Sequence, residues 1–528
     1  MRRVKLTAVA TLLLVSPMAA CSTGAEGAAA GGQQGKTFGT AVGTPLVFTP
    51  GELLAATGGT TPVGYARPEH GTLSYGAGGT VVYTPDDGYT GADALRVTVS
   101  DAVRAFAVDT PPLATIGGVE VQSSGNGSAI AAVPGTTDQF YGLTDRGPNV
   151  DGRTDGEKVL PVPEFQPHIT AFTLRDGVAV PGRAIRLSGR DGAPLVGLVD
   201  PQADTGETLV DINGKPLPTS DHGLDTEGLV ALPDGTFWVS DEYGPFLVHF
   251  DAQGKELERL SPFDGTLPRE LSLRSANQGM EGLTITPDGK TLVGIMQSAL
   301  KMPGLSGSAK SVPLSRIVTV DLATKDVREY LYPLSDPQES KVAVSEITAL
   351  GPTTFLVDER DGELQPGANK KIYLVDIATA TDVGPKATVG TYRADAGGLQ
   401  IDGQPIETLV GVTTDAAAVD RLKAAGVTVA TKSLKLDLGA LVTELNRAGE
   451  FFGHDKIEGL ATPDGGKTLV IANDSDFGLA GIEGDSVPLK LKPKVLANGR
   501  QDSGEFLEVD TTKLPAKTRE VTLPLRVG

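Results

Sequence analysis

The 528-residue chain is 39% hydrophobic and 21% charged, which supplies a large apolar core and excludes a disordered polyelectrolyte. Its net charge of −20 repels phosphate backbones and excludes nucleic acid as a partner. The same charge repels a free phosphate ester, so a phosphatase made from this chain needs bound metal ions to invert the local field.

The first residues read as an export signal. Arg2, Arg3 and Lys5 form a positive region, Ala8 to Val15 an apolar stretch too short to span a bilayer, and Met18-Ala19-Ala20 brings small residues up to Cys21. This arrangement resembles a bacterial lipobox, with Met18 where Leu is usual. The resemblance implies that residues 1–21 form a lipoprotein signal, that Cys21 is acylated and becomes the new N-terminus, and that the protein is exported and touches the membrane only through that anchor. Cys21 is the single cysteine, so intramolecular disulfides are excluded. Residues 22–36, rich in Gly, Ala and Gln, read as a flexible tether.

Residues 37–109 alternate apolar and polar positions in short runs separated by turns. Gly71–Tyr75, Gly79–Thr84 and Ala94–Val99 are expected strands, with Pro85-Asp86-Asp87-Gly88 as a turn between them. The segment resembles the Ig-like and cadherin-like β-sandwich modules of bacterial surface proteins, which implies a spacer or adhesion role.

From about residue 115 to 527 a repeat governs the chain. Each unit opens on a Glu, usually in Glu-Gly-Leu, continues as an apolar strand, turns at Pro-Asp-Gly, and returns as a strand ending in acidic or amide residues. The copies begin at Glu120, Glu227, Glu281, Glu346 and Glu458. Second hairpins follow at 169–187, 246–260, 316–334, 371–392 and 505–523. Two hairpins make a four-stranded antiparallel sheet, the blade of a β-propeller. The fold class is therefore all-β: five legible blades, with room for six or seven in the long gaps after Glu120 and Glu346. Apolar residues at helical spacing (Leu436, Leu438, Leu441, Val442, Leu445) place a helical insertion at about 395–450. The acidic, turn-rich span 188–226 reads as a long loop.

In a hairpin the first residue of one strand lies beside the last of the next. If the repeated hairpins line the channel, one rim gathers the opening acids Glu227, Glu281, Glu346 and Glu458. It also gathers the acids Glu120, Asp145, Asp241, Glu242, Asp358, Glu359, Asp474 and Asp476. So many carboxylates raise one another's pKa or bind a cation, and hard oxygen donors without Cys select calcium over zinc. Arg146, Arg360 and Lys456 are the cations expected at the same rim, suited to a phosphate or carboxylate. No Gly-x-Ser-x-Gly elbow occurs; Gly304-Leu305-Ser306-Gly307-Ser308 lacks the final Gly.

The strings Thr144-Asp145-Arg146-Gly147-Pro148, Glu227-Gly228-Leu229 through Ser240-Asp241-Glu242-Tyr243-Gly244, and Lys456-Ile457-Glu458-Gly459-Leu460 through Asn473-Asp474-Ser475-Asp476-Phe477 resemble the marker segments of the phytase-like family, "esterase-like activity of phytase". The family commonly has Asn where Ser475 stands. The resemblance implies a secreted hydrolase of phosphate esters or esters. The expected reading is a monomer acting on a small-molecule ester with calcium, Glu227, Glu281, Glu346 and Glu458 serving as ligands or general base. A lactonase-like propeller and a non-catalytic cell-surface scaffold are the alternatives.

Overall fold

The computed structural model describes residues 36–204 and 206–528. Cys21 and the signal segment lie outside these described residues.

The N-terminal module packs two sheets around Phe48, Val81, Tyr83, Leu95, Val97 and Val99. One sheet holds Leu46–Phe48, Val81–Pro85 and Gly71–Tyr75; the other holds Phe38–Thr40, Gly91–Ser100, Thr61–Tyr65 and, from the far end of the chain, Thr518–Val527. That last strand pairs along the whole length of Gly91–Ser100 and adds Leu523, Leu525 and Val527 to the core. The C-terminal pattern expected to close a propeller hairpin at 505–523 thus splits. Glu505–Asp510 stays in the propeller, and the following alternating run completes the sandwich.

The propeller has five blades. The first four are built from their own stretches of chain, with inner strands Ala129–Ala132, Thr226–Ala231, Met280–Ile285 and Ala343–Ala349. The fifth takes Ile457–Ala461, Thr468–Asn473 and Glu505–Asp510 from the end of the chain and its outer strand, Val103–Val108, from just after the sandwich. The ring is therefore closed by pairing residues some four hundred positions apart, and the five inner strands contact one another in an unbroken circle.

The long gaps hold insertions rather than extra blades. Val150–Asp151, Glu157–Leu160 and Thr208–Asp211 form a small three-stranded sheet, the last of its strands falling in the span 188–226 that reads as loop. In blade 4 the outer strand is Thr431–Asp437, not the expected return before Tyr392. The helices Ile406–Val410 and Asp415–Ala424 lie in the excursion between its third and outer strands, and Leu438–Leu445 follows the blade.

The Glu-Gly-Leu repeat has a packing cause. In blades 2 to 5 the inner strand carries one extra residue against its partner, a bulge at the motif. A bulge turns its side chain out of the ladder, here toward the channel. The glycine that follows lets adjacent blades touch. A Cβ on Gly228 would lie 2.4 Å from the Leu283 nitrogen, and one on Gly282 2.6 Å from that of Ile347.

Candidate functional site

Because every blade presents the same bulge and the same strand end, the channel mouth has two tiers. The bulge tier brings Glu227, Glu281, Ser345 and Glu458 from blades 2 to 5, and by the same register Ser128 from blade 1. The residues closing the second strands supply Asp145, Glu242, Gln297, Arg360 and Asp474. These strand-end residues, with Glu227, Glu281 and Glu458, line a basin of about 220 Å³, joined by Arg146, Asn149, Lys158, Asp225, Asn277, Gln278 and Lys456.

The basin is divided by charge. Its acidic side comes from blades 2 and 3. Asp225, Glu227 and Glu242 offer oxygens all within 4.8 Å of one another, and Glu281 stands beside them. Burial, followed by the charges of Glu281, Asp225, Glu242 and Glu458, pushes the Glu227 carboxyl well above the ordinary range. Burial and then Glu281 do the same to Glu242. Burial and then Glu458 push Glu281 up to about 8. Among the described residues, Glu242 Oε1, Glu281 Oε2 and Asn277 Oδ1 are buried with no hydrogen-bond partner. Buried polar atoms are ordinarily satisfied, so unpartnered oxygens beside mutually repelling acids fit a cation as their partner. The donor set is all oxygen, which suits calcium or magnesium.

The other side comes from blades 1, 4 and 5 and carries the cations. Arg146 reaches Glu207 Oε2 at 3.2 Å and Asn149 Oδ1 at 3.2 Å, lies 3.5 Å from Asp225 Oδ2, and has its guanidinium 4.9 Å from the Tyr243 ring centre. Arg360 donates to Ser345 Oγ at 3.0 Å and pairs with Glu458. Burial opposes its charge, yet Glu458 and Glu281 hold it firmly protonated. Lys456 reaches Asp474 at 3.2 Å and also pairs with Asp476. Asp145 accepts from the Gly147 amide at 2.9 Å; burial and the neighbouring Asp225 push it well up.

Six of the expected residues lie elsewhere. Glu120 is exposed in a small hairpin of Ala114–Ile116 with Val119–Val121, because the inner strand of blade 1 begins nine residues later at Ala129. Glu346 sits one place off the motif: the bulge in blade 4 falls at Ser345, so Glu346 takes the position of Gly282. Its Oε1 accepts from the Leu283 and Ile347 amides at 3.0 and 2.9 Å, joining blades 3 and 4. Asp241 accepts from the amides of Asp225 and Gly244. Asp358 is buried off the basin with both oxygens unpartnered. Glu359 accepts from Tyr332 at 2.6 Å and pairs with Lys432. Asp476 is half-buried between Lys456 and Lys494, which hold it low against the cost of burial.

Asp225, Asn149, Lys158, Asn277, Gln278 and Gln297 were not expected at the site. Asp225 and Gln297 carry a readable signal, standing two residues before Glu227 and at the strand end matching Glu242. Lys158 carries none, since it comes from the small inserted sheet.

Fold and basin together define a five-bladed propeller with an ionic axial site, carried on an Ig-like module. The chain belongs to the family described as "Esterase-like activity of phytase", whose model matches residues 122–477, and residues 29–110 match the bacterial Ig domain. A protein of Arthroderma benhamiae, described as an uncharacterized secreted protein, is 33% identical over 231 residues, 36% of this chain; the match spans 44% of that relative's length. Among solved structures, the calcium-binding protein regucalcin of Agrobacterium tumefaciens is 12% identical, with 73% of this chain and 90% of that one covered and a TM-score of 0.28. Virginiamycin B lyase of Staphylococcus aureus is 11% identical, with 73% and 96% covered and a TM-score of 0.26. These likenesses are remote, and what those two proteins bind stays with them.

Proposed function

We propose that the protein is a hydrolase of phosphate esters acting at the axial basin with a calcium ion. The observation that carries the reading is one cavity that sets unpartnered acidic oxygens on the side of blades 2 and 3 against Arg146, Lys158, Arg360 and Lys456, interleaved with Asp145, Glu458 and Asp474, on the other. Asp225, Glu227 and Glu242 would hold the ion, which supplies positive charge against the substrate's phosphate. Arg360, Arg146 and Lys456 orient the ester's anionic oxygens. Glu458, facing the acids across the basin, takes the proton of the attacking water. Glu281, whose Oε2 has no hydrogen-bond partner among the described residues, would add an oxygen to the ion's donors, and the leaving oxygen takes its proton from solvent. The cationic side favours an anionic ester over a neutral lactone. The signal-like first residues, Cys21 and the secreted relative support export, with the lipid as anchor.

The test is hydrolysis of phenyl phosphate and of a lactone panel by purified protein, with calcium removed by chelator and then restored. We expect phosphate ester turnover that chelation abolishes and calcium restores. Glu227→Gln should weaken calcium binding at least about tenfold by calorimetry, a loss of about 1.4 kcal/mol. Turnover indifferent to the chelator removes the ion from the mechanism.

A further inference from the structure

A second cavity of about 480 Å³ opens beside the basin and shares Asn149, Lys158 and Lys456 with it. Its walls come mostly from insertions, with Asp455, Lys456 and Asp476 added at the ends of the blade 5 hairpin. The insertions are the hairpin of Leu479–Glu483 with Lys490–Pro493, the small sheet carrying Lys158, and the loop after Arg360 that carries Leu364. The basin alone is sized for one small polar group. The groove is where the remainder of a larger substrate can lie, since it continues from the cationic side of the basin.

Its chemistry is specific. Four lysines line it, beside Asp151, Asp455 and Asp476, on a chain of net charge −20. Lys158 pairs with Asp151 at 2.7 Å, Lys456 with Asp474 at 3.2 Å, and Lys494 with Asp455 at 3.0 Å. Lys492 is exposed and makes no ion pair among the described residues. Beside it Leu364 and Val495 stand 39% and 47% exposed, large apolar side chains facing a groove rather than a core. One unpaired ammonium next to exposed apolar surface matches a ligand with the same two parts.

We propose that this groove seats the leaving group of the ester, and that the leaving group is an amphipathic organic anion, its apolar part against Leu364 and Val495 and its negative end at Lys492. This rests on the basin being the site of hydrolysis, and it adds the class of substrate. A neutral or cationic leaving group leaves Lys492 unmatched. An anion without an apolar part leaves Leu364 and Val495 in water.

The experiment compares three phosphate monoesters on the full chain with calcium: phenyl phosphate, the ester of 4-(4-hydroxyphenyl)butanoate, and the ester of its uncharged butanamide. We expect the acid to exceed the amide by about tenfold in kcat/KM, mostly through KM. Lys492→Glu should erase or reverse that preference. A second measurement needs no turnover. Free 4-(4-hydroxyphenyl)butanoate should bind by calorimetry, and Lys492→Glu should weaken it about tenfold. Equal handling of acid and amide by the unaltered protein, or a preference that survives Lys492→Glu, overturns the groove assignment while hydrolysis itself stands. Absence of turnover on all three esters overturns the hydrolase reading. Lys492-dependent binding of the free acid then still upholds the groove, and its absence overturns that too.

Discussion

Asp358 offers a quantitative test of how the propeller tolerates its buried acids. The side chain is 1% exposed, and neither oxygen has a hydrogen-bond partner among the described residues. Burial pushes its carboxyl from 3.8 up to about 8, against the pull of Lys370 and Arg360. A carboxyl whose pKa is higher in the folded state binds a proton more tightly there than in the unfolded chain. Its contribution to stability is therefore greatest below pH 3.8 and drains away as pH rises through 8. The rate of loss is about 1.4 kcal/mol per pH unit, so from pH 5 to pH 8 this single group costs about 4 kcal/mol. Asp358→Asn is uncharged at every pH and escapes that loss. The amide also brings donors that lack acceptors, a fixed penalty of about 1–3 kcal/mol, but this is the same at each pH and cancels in the comparison. Urea unfolding at pH 5 and at pH 8, followed by the fluorescence of the chain's single tryptophan, Trp238, measures the gap. Trp238 lies buried in blade 2, and the closed ring couples its loss to that of blade 4. The gap between Asn and Asp proteins should shift by about 4 kcal/mol in favour of Asn at the higher pH. Parallel pH profiles would refute the reasoning and mean that Lys370 and Arg360 keep Asp358 ionised inside the fold.

Two further outcomes follow from other parts of the molecule. His454 is buried between Asp502, 3.0 Å from Nδ1, and Glu505, 2.9 Å from Nε2. Burial opposes its charge, but the two carboxylates outweigh it and raise the imidazole to about 9. The resulting stability is complete below about pH 6.5 and lost as pH climbs through 9. His454→Gln should therefore cost about 3 kcal/mol at pH 6 and much less at pH 10, read from melting temperatures across that range; an equal cost at both ends contradicts it. Removing residues 518–528 deletes the strand that buries Leu523, Leu525 and Val527 in the sandwich. At about 2 kcal/mol for each buried side chain, the loss of about 6 kcal/mol matches the whole stability of a small domain. Limited proteolysis should then cut within residues 37–100 and spare the propeller, and a protease-resistant sandwich in the truncated protein speaks against that strand's role.

The repeat was legible because blade hairpins obey local rules: alternating strands, a Pro-Asp-Gly turn, and a glycine where neighbouring strands touch. The same rules gave Glu227, Glu281 and Glu458, together with Glu242, Asp145 and Asp474 at the strand ends. They failed at blade 4, where Ser345-Glu346-Ile347 imitates the motif one residue out of step. A one-residue offset in a strand exchanges its faces, so Glu346 turned from the channel to the blade interface. They failed again at Glu120, whose hairpin has the pattern of a blade and a place outside the ring.

Sequence by itself determined the blade hairpins, the Ig-like module and the stock of acids and bases, because strand period and turn chemistry are local. Tertiary structure alone decided which distant segments share a sheet: Val103–Val108 with Glu505–Asp510, and Gly91–Ser100 with Thr518–Val527. It also decided which of the many acids remain without partners. Both depend on which surfaces meet once the ring has closed, and nothing in a strand's own pattern names the strand that will lie beside it.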